Sequence, residues 1–138
     1  MAYLSRQTPK IMFNLNFLNE NKIIATRGSK LWLDRLNQII EERLDDASFK
    51  NEEIAAKMDI SERHLFRKVN AIANISPKKY LRKYRLRKAM KYLKIGKYRS
   101  VKETAYAVGF INVSYFIRQF EKEYDRKPLK ILQEAGWR

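Results

Sequence analysis

The sequence predicts an all-α fold of about seven helices, in which two similar helical hairpins flank one long helix. The chain holds only four Gly and three Pro, and from about residue 29 its apolar residues recur at helical rather than alternating spacing. Apolar residues make up 45% of the 138 positions, against 33% charged. This composition is sufficient for a packed core, so we expect a folded protein and not a disordered chain.

N-caps and apolar spacing predict the individual helices. They are expected over residues 30–44, 52–58, 62–72, 77–93, 101–108, 113–124 and 128–134. The expected N-caps are Ser29, Asn51, Ser61, Ser76, Ser100 and Asn112. The apolar side of the first helix is expected to consist of Leu31, Leu33, Leu36, Ile39, Ile40 and Leu44.

The fourth of these helices is the long one, and Pro77 at its first position suits a helix start. Its apolar stripe is Leu86, Ala89, Met90 and Leu93, and we expect its Lys and Arg side chains to occupy the remaining, solvent-facing surface. Gly96 is expected to end it. The predicted organisation is therefore a first lobe at 29–75, a connecting helix at 76–95 and a second lobe at 96–138.

Residues 1–28 are assigned to an N-terminal stub or linker. The apolar stretch from Ile11 to Leu18 fits a short strand or a docking segment, and the sequence does not choose between them. Asn14 and Asn16 interrupt it, and no small-residue cleavage site follows, which argues against a signal peptide or membrane span. We expect a cytoplasmic protein without a membrane partner, either complete in itself or lacking a separate sensor or dimerisation domain.

The two hairpins are an internal repeat in which an apolar pair, a tight turn and a second helix recur in order. Gly109 supplies the left-handed turn residue in the second copy, and Ile111 is one inserted residue. The matched pairs are Ile54-Ala55 with Thr104-Ala105, Met58-Asp59-Ile60 with Val108-Gly109-Phe110, Ser61 with Asn112, Leu65 with Phe116, Arg67 with Arg118 and Val69 with Phe120. Packing does not require the matched arginines, so the repeat indicates two helix-turn-helix units with a shared use.

Charge predicts the partner of these units. Thirty Lys and Arg against fifteen Asp and Glu give a net charge of +15, and the stretch from Lys78 to Lys102 has twelve basic residues and no acidic one. A surface of this kind favours polyanions, nucleic acid first. There is no cysteine, and His64 is the single histidine with no second ligand at metal spacing. We therefore expect no metal, no cofactor and no enzymatic activity.

A set of motifs across both units is specific enough to indicate a family. These motifs are Ile54-Ala55, Ile60-Ser61-Glu62-Arg63-His64-Leu65-Phe66-Arg67-Lys68, Arg85-Leu86-Arg87-Lys88-Ala89, Gly109-Phe110, Ser114-Tyr115-Phe116, Arg118-Gln119-Phe120-Glu121-Lys122-Glu123-Tyr124 and Pro128. Through them the sequence resembles the DNA-binding domain of the AraC/XylS family over roughly residues 32–134. Asn74 and Asp125 stand where that family usually has Gly, and Thr104 replaces its usual Ile.

This resemblance implies a bacterial transcription regulator, more often an activator, with two homeodomain-like helix-turn-helix units held by a connecting helix. The expected partner is double-stranded DNA. The second helix of each unit would enter the major groove, and the two units would read successive groove segments about one helical turn, about 34 Å, apart.

Helical spacing and the resemblance agree on which side chains face bases. Leu65, Val69, Phe116 and Phe120 point inward, which leaves one outward face on each second helix. Arginines there can bind guanine O6 and N7, and apolar side chains can contact thymine methyl groups. The expected base contacts are Arg63, Phe66, Arg67, Val113, Ser114, Ile117 and Arg118.

Phosphate contacts are expected from helix starts and neighbouring polar side chains, because backbone N–H groups at a helix start attract anions. The residues assigned this role are Asn51, Ser61, His64, Lys68, Ser100, Asn112, Tyr115 and Lys122.

Two questions stay open at the level of sequence. The alternative function is a non-specific basic RNA- or DNA-binding protein, which would expose aromatic stacking platforms; Tyr80, Tyr84, Tyr92 and Tyr98 are the undecided aromatics. The basic connecting helix could meet flanking DNA or an acidic partner such as RNA polymerase. With two units in one chain, we expect a monomer.

Overall fold

The computed structural model describes residues 26–136, which fold entirely into helices, turns and loops. The seven helices of this part of the chain are α1 (Arg27–Glu42), α2 (Asn51–Lys57), α3 (Glu62–Ala73), α4 (Pro77–Ile95), α5 (Val101–Ala107), α6 (Val113–Tyr124) and α7 (Pro128–Glu134). The predicted all-α class is confirmed. Residues 1–25, most of the segment assigned to an N-terminal stub or linker, lie outside the described residues, as do residues 137 and 138, while residues 27 and 28 belong to α1.

The described residues form two compact units. The first comprises residues 26–42 together with Lys50–Tyr80, and the second comprises Arg43–Phe49 together with residues 81–136. The short segment between α1 and α2 thus belongs to the second unit, while both helices that it joins belong to the first. Helix α4 begins in the first unit and continues through the second.

The core of the first unit is formed by apolar faces of α1, α2 and α3. Leu36 and Ile40 from α1 meet Ile54, Leu65 and Val69, and the space that these side chains enclose with Pro77 and Tyr80 is too small for a water molecule. Tyr80 and Asn37 are both about 1% exposed, and the Tyr80 hydroxyl donates a 2.7 Å hydrogen bond to Asn37 Oδ1. This bond attaches the start of α4 to α1. Tyr80 and the likewise buried Tyr84 are core residues.

Three predictions about α1 and α2 are wrong. Helix α1 begins at Arg27, and Thr26 Oγ1 accepts the Ser29 N–H at 3.0 Å, so Thr26 is the cap and Ser29 is not. Leu31 is 63% exposed, because at about 100° per residue it lies opposite the buried Leu33. Asn51 is already helical: Lys50 is the N-cap, with no side-chain hydrogen bond.

The other predicted caps and stops are confirmed apart from small shifts at the ends. Ser76 Oγ accepts the Lys79 N–H at 3.2 Å, and α4 runs to Ile95, two residues beyond the expected end, before Gly96 takes a positive φ of 62°. The left-handed residues after α3 and α6 are Asn74 and Asp125, with φ of 58° and 53°. Asn and Asp tolerate this conformation better than most residues.

The second unit has an aromatic core centred on α6. Phe116 and Phe120 are fully buried; the Phe116 ring centroid lies 5.2 Å from Phe110 and 5.7 Å from Phe120. Tyr124 continues the row at 4.9 Å from Phe120, and burial raises the pKa of its hydroxyl to about 12. Phe110 fills the junction of the α5–α6 hairpin and is only 8% exposed.

We expect Tyr80→Phe to lower the free energy of unfolding by about 1–3 kcal/mol, because the buried oxygen of Asn37 loses its donor. Urea denaturation of the full chain measures this difference. Tyr106→Phe is the matched control: Tyr106 is 44% exposed, and its change should stay within about 0.5 kcal/mol. Equal effects of the two substitutions would contradict a role for the buried hydrogen bond.

Candidate nucleic-acid interface

Helix α3 carries the first candidate reading face. Ser61 caps it, with Oγ accepting the His64 N–H at 3.0 Å. Arg63 and Arg67 are exposed and Phe66 is 51% exposed, on the side of the helix away from the buried Leu65 and Val69. The residues that spacing assigned to the outward face thus lie together on the surface of the first unit.

Helix α6 carries the corresponding face of the second unit. Asn112 caps it, and its Oδ1 accepts the Tyr115 N–H at 2.9 Å. Ser114 and Arg118 are exposed, whereas Val113 and Ile117 are half-buried. This face therefore offers one exposed guanidinium and one exposed hydroxyl, with two apolar side chains partly accessible beside them.

The tight turns before α3 and α6 have the same backbone pattern. Asp59 and Gly109 both adopt positive φ, 59° and 90°. The next residue in each turn donates its N–H to the alanine of the preceding helix: Ile60 to Ala55 O at 3.0 Å, and Phe110 to Ala105 O at 2.9 Å. The sequence repeat is thus also a repeat of backbone geometry, so the two second helices begin from equivalent turns.

The candidate phosphate residues differ in how free their polar atoms are. His64, Tyr115 and Lys122 are exposed and Asn51 is half-buried. Lys68 is half-buried, with its ammonium 5.7 Å from the ring centroid of Trp32. Ser61 and Asn112 already use a side-chain oxygen to cap their own helices.

Sequence reasoning missed Glu103 at the start of α5. Its Oε2 accepts the Arg99 N–H at 3.1 Å and lies 3.3 Å from Ser100 Oγ, while Ser100 Oγ accepts the Glu103 N–H. This arrangement is a variant of the capping box, in which the carboxylate accepts the N–H of the residue before the N-cap, and the spacing Ser100-x-x-Glu103 signals it. The Glu103 carboxylate therefore already occupies the helix start at which Ser100 was expected to contact a DNA phosphate. Ser100 is thus the weakest of the candidate phosphate-contacting residues.

Basic side chains of α4 divide into exposed and engaged sets. Lys91 and Lys94 are exposed, Lys83 Nζ binds Glu123 Oε2 at 3.1 Å, and the Lys88 ammonium lies 5.3 Å from the Tyr92 ring centroid. Arg85 is only 5% exposed, so the expectation that all Lys and Arg of this helix face solvent is wrong there. Its guanidinium reaches two backbone carbonyls inside the second unit.

Within residues 26–136, no group of three or more His, Asp or Glu side chains could hold a metal ion. Helices of the described part are all too short or too polar to cross a bilayer.

Comparison with known proteins identifies relatives of this arrangement. A family profile described as a helix-turn-helix domain matches residues 54–134. The chain is 33% identical over 102 residues to the HTH-type transcriptional activator RhaS of Klebsiella pneumoniae, covering 72% of this chain and 36% of RhaS. It is 24% identical over 115 residues to Histidine kinase P4 of Formosa agariphila, covering 83% of this chain and 8% of that protein.

Solved structures give the same result. The C-terminal domain of the two-component response regulator yesN from Fusobacterium nucleatum is 31% identical, with a TM-score of 0.63, over 70% of this chain and 93% of that one. A probable AraC family transcriptional regulator from Rhodopseudomonas palustris is 26% identical, with a TM-score of 0.64, over 75% of this chain and 96% of that one. The chain spans less than half the length of the curated relatives it matches.

Proposed function

The chain belongs to the AraC/XylS family of helix-turn-helix transcription regulators, and on that basis we propose that it binds specific sites in double-stranded DNA through α3 and α6. Each helix inserts its outward face into the major groove. Arg67 and Arg118 read guanine at O6 and N7, and Arg63 does so beside Arg67. Phe66, Val113 and Ile117 contact thymine methyl groups, and Ser114 bonds a neighbouring base edge.

The observation that carries this proposal is the geometric equivalence of the two reading helices. Both start from a left-handed turn residue and a capping side chain, and both expose an arginine at the matched position. A protein that only neutralised phosphates would need neither the matched turns nor the matched arginines, because phosphate contact does not depend on sequence. Positioning contacts to phosphate would come from Asn51, Ser61, His64, Lys68, Ser100, Asn112, Tyr115 and Lys122.

The alternative of a non-specific RNA- or DNA-binding protein has less support. Stacking on unpaired bases needs exposed aromatic rings, but Tyr80, Tyr84, Phe110, Phe116 and Phe120 are core residues. Tyr92 and Tyr98 pack edge to face against each other with centroids 5.6 Å apart. Within the described residues Phe66, Tyr106 and Tyr115 are exposed, whereas the aromatic side chains named above pack inside one unit or the other.

Regulation by this chain would be activation, since RhaS, which matches this chain over 102 residues, is named a transcriptional activator. We place this action in the cytoplasm, by a monomer that carries both reading helices, and through binding rather than catalysis. RNA polymerase is a further proposed partner. A dimer mass in light scattering at micromolar concentration would contradict the monomer.

Selection of bound duplexes from a random pool tests the proposed function. We expect the selected DNA to contain two conserved segments with centres about 10 base pairs apart, because one helical turn separates successive major-groove segments on one face. A pool that stays random after repeated selection would contradict sequence-specific binding by this chain.

The exposed lysines of α4 are expected to contact DNA phosphates outside the base-reading faces. Replacing both Lys91 and Lys94 by Gln should reduce the slope of log affinity against log salt by about 2, since each phosphate contact contributes about 0.9. The preference for the selected sequence should not change. Replacing both by Arg is the control and should keep the slope. An unchanged slope in the Gln variant would contradict phosphate contact by Lys91 and Lys94 and would favour a protein partner for this surface.

A further inference from the structure

Arg85 is a buried cation in the middle of the second unit. Its side chain leaves α4 and is 5% exposed in total. Nη1 donates to the carbonyl of Val108 at 3.1 Å, and Nη2 donates to the carbonyl of Asp46 at 3.0 Å. Val108 is the C-cap of α5, where carbonyl groups lack helical partners and the helix dipole favours a positive charge. One guanidinium therefore joins the end of α5 to the 43–49 segment.

Gly109 leaves the space that this guanidinium occupies. A Cβ atom at Gly109 would lie 1.3 Å from Arg85 Nη1 and 2.5 Å from both Arg85 Cζ and the Leu44 carbonyl oxygen. Its φ of 90° already favours glycine. Asp59, the equivalent turn residue of the first unit, carries a side chain, so left-handed φ alone does not require glycine at this turn. Close contact with Arg85 is an additional reason.

The 43–49 segment offers a fixed carbonyl to Arg85. The Asp46 carboxylate accepts hydrogen bonds from the Arg43 side chain and from the Ser48 N–H and hydroxyl, and these bonds lower the Asp46 pKa to about 2. The Asp46 carbonyl also accepts the Phe49 N–H at 3.1 Å, and Phe49 is buried. Arg85 thus binds a loop that is held in place by hydrogen bonds among the loop's own residues.

We propose that Arg85 is a positioning residue for DNA reading by the second unit: it holds the α5–α6 turn against the 43–49 segment and so sets where α6 begins. This inference rests on the proposed function. Lysine cannot replace it, because one ammonium lacks the planar fork that reaches two separate carbonyls in fixed directions. Loss of the fork would leave α6 folded on Phe116 and Phe120 but displaced at its reading end.

The test compares the wild-type full chain with Arg85→Lys on three duplexes: the selected site, and the same site with either half scrambled. Discrimination at a half-site is the ratio of affinities for the intact and the scrambled duplex. We expect discrimination at the second-unit half-site to fall about tenfold or more, the loss of one good arginine–guanine contact. Discrimination at the other half-site should stay within about twofold. Equal loss at both, or at neither, in a chain with wild-type helical content overturns the proposal.

Gly109→Ala tests the contact from the other side and should give the same one-sided loss. If Arg85→Lys lacks helical content, the result with Gly109→Ala decides the outcome. If Gly109→Ala is unfolded as well, the positioning role of Arg85 is overturned in favour of a purely structural role. Urea unfolding provides a readout without DNA: Gly109→Ala should shift the midpoint less in an Arg85→Ala background than in wild type. A wild-type chain without half-site preference would contradict the proposed function, while this cycle would still test the contact.

Discussion

Phe116→Ala is expected to lower the free energy of unfolding by about 3–5 kcal/mol, because it removes a fully buried ring from the centre of the second unit. Phe116 contacts Phe110 on one side and Phe120 on the other. Loss of its ring therefore removes the contact between α6 and the α5–α6 turn at Phe110. Urea denaturation measures the loss. At temperatures where the first unit remains folded, binding to the second half-site should disappear with it.

The matched control is Phe66→Ala on the reading face of α3. It removes the same ring from a side chain that is 51% exposed, so stability should change by no more than about 0.5 kcal/mol. Its effect should instead appear in DNA binding, as weaker preference at one thymine position. A large loss of stability in Phe66→Ala, or none in Phe116→Ala, would contradict the division into buried and reading faces.

Arg67→Ala and Arg118→Ala are expected to reduce discrimination between bases at different half-sites. Each substitution should lower the free energy of discrimination at its half-site by about 1–3 kcal/mol. Both side chains are exposed in the described residues, so neither change should affect folding by more than about 0.5 kcal/mol. Titration of each variant against duplexes with single base-pair changes shows which positions become neutral. The two sets of positions should not overlap, because each arginine belongs to a different unit.

Lys122→Ala serves as the control for the two arginine variants. Lys122 lies on α6 and is exposed, but it was assigned to phosphate. Its loss should weaken every duplex to a similar degree and reduce the salt slope by about 1. Base-specific losses in Lys122→Ala, or uniform losses in Arg118→Ala, would mean that the reading and positioning roles on α6 are assigned to the wrong residues.

Most helices could be predicted from the sequence because helix starts and apolar faces depend on residues that are close together along the chain. Ser61, Ser100 and Asn112 cap α3, α5 and α6 through contacts with residues three positions later, and such spacing is visible in one dimension. The outward faces of α3 and α6 follow in the same way from the period of Leu65, Val69, Phe116 and Phe120.

Features that depend on tertiary contacts could not be predicted this way. Leu31 is not such a feature: two residues before Leu33 it lies on the opposite side of α1, so the helical period alone already predicts its 63% exposure. Arg85 lies in a run of twelve basic residues and differs from them only through carbonyls that are 23 and 39 positions away. The inclusion of Arg43–Phe49 in the second unit is equally non-local. For Glu103, in contrast, the capping-box spacing was present and was overlooked.

The most direct test of sequence-specific reading by two units is the affinity of the wild-type chain for its selected duplex and for a scrambled duplex of equal length, each measured at two salt concentrations. We expect the selected duplex to bind about 10³-fold tighter or more, and this preference to persist when added salt weakens the binding of both duplexes. Equal affinities with a steep salt dependence would contradict it and would make the basic surface a general clamp for polyanions.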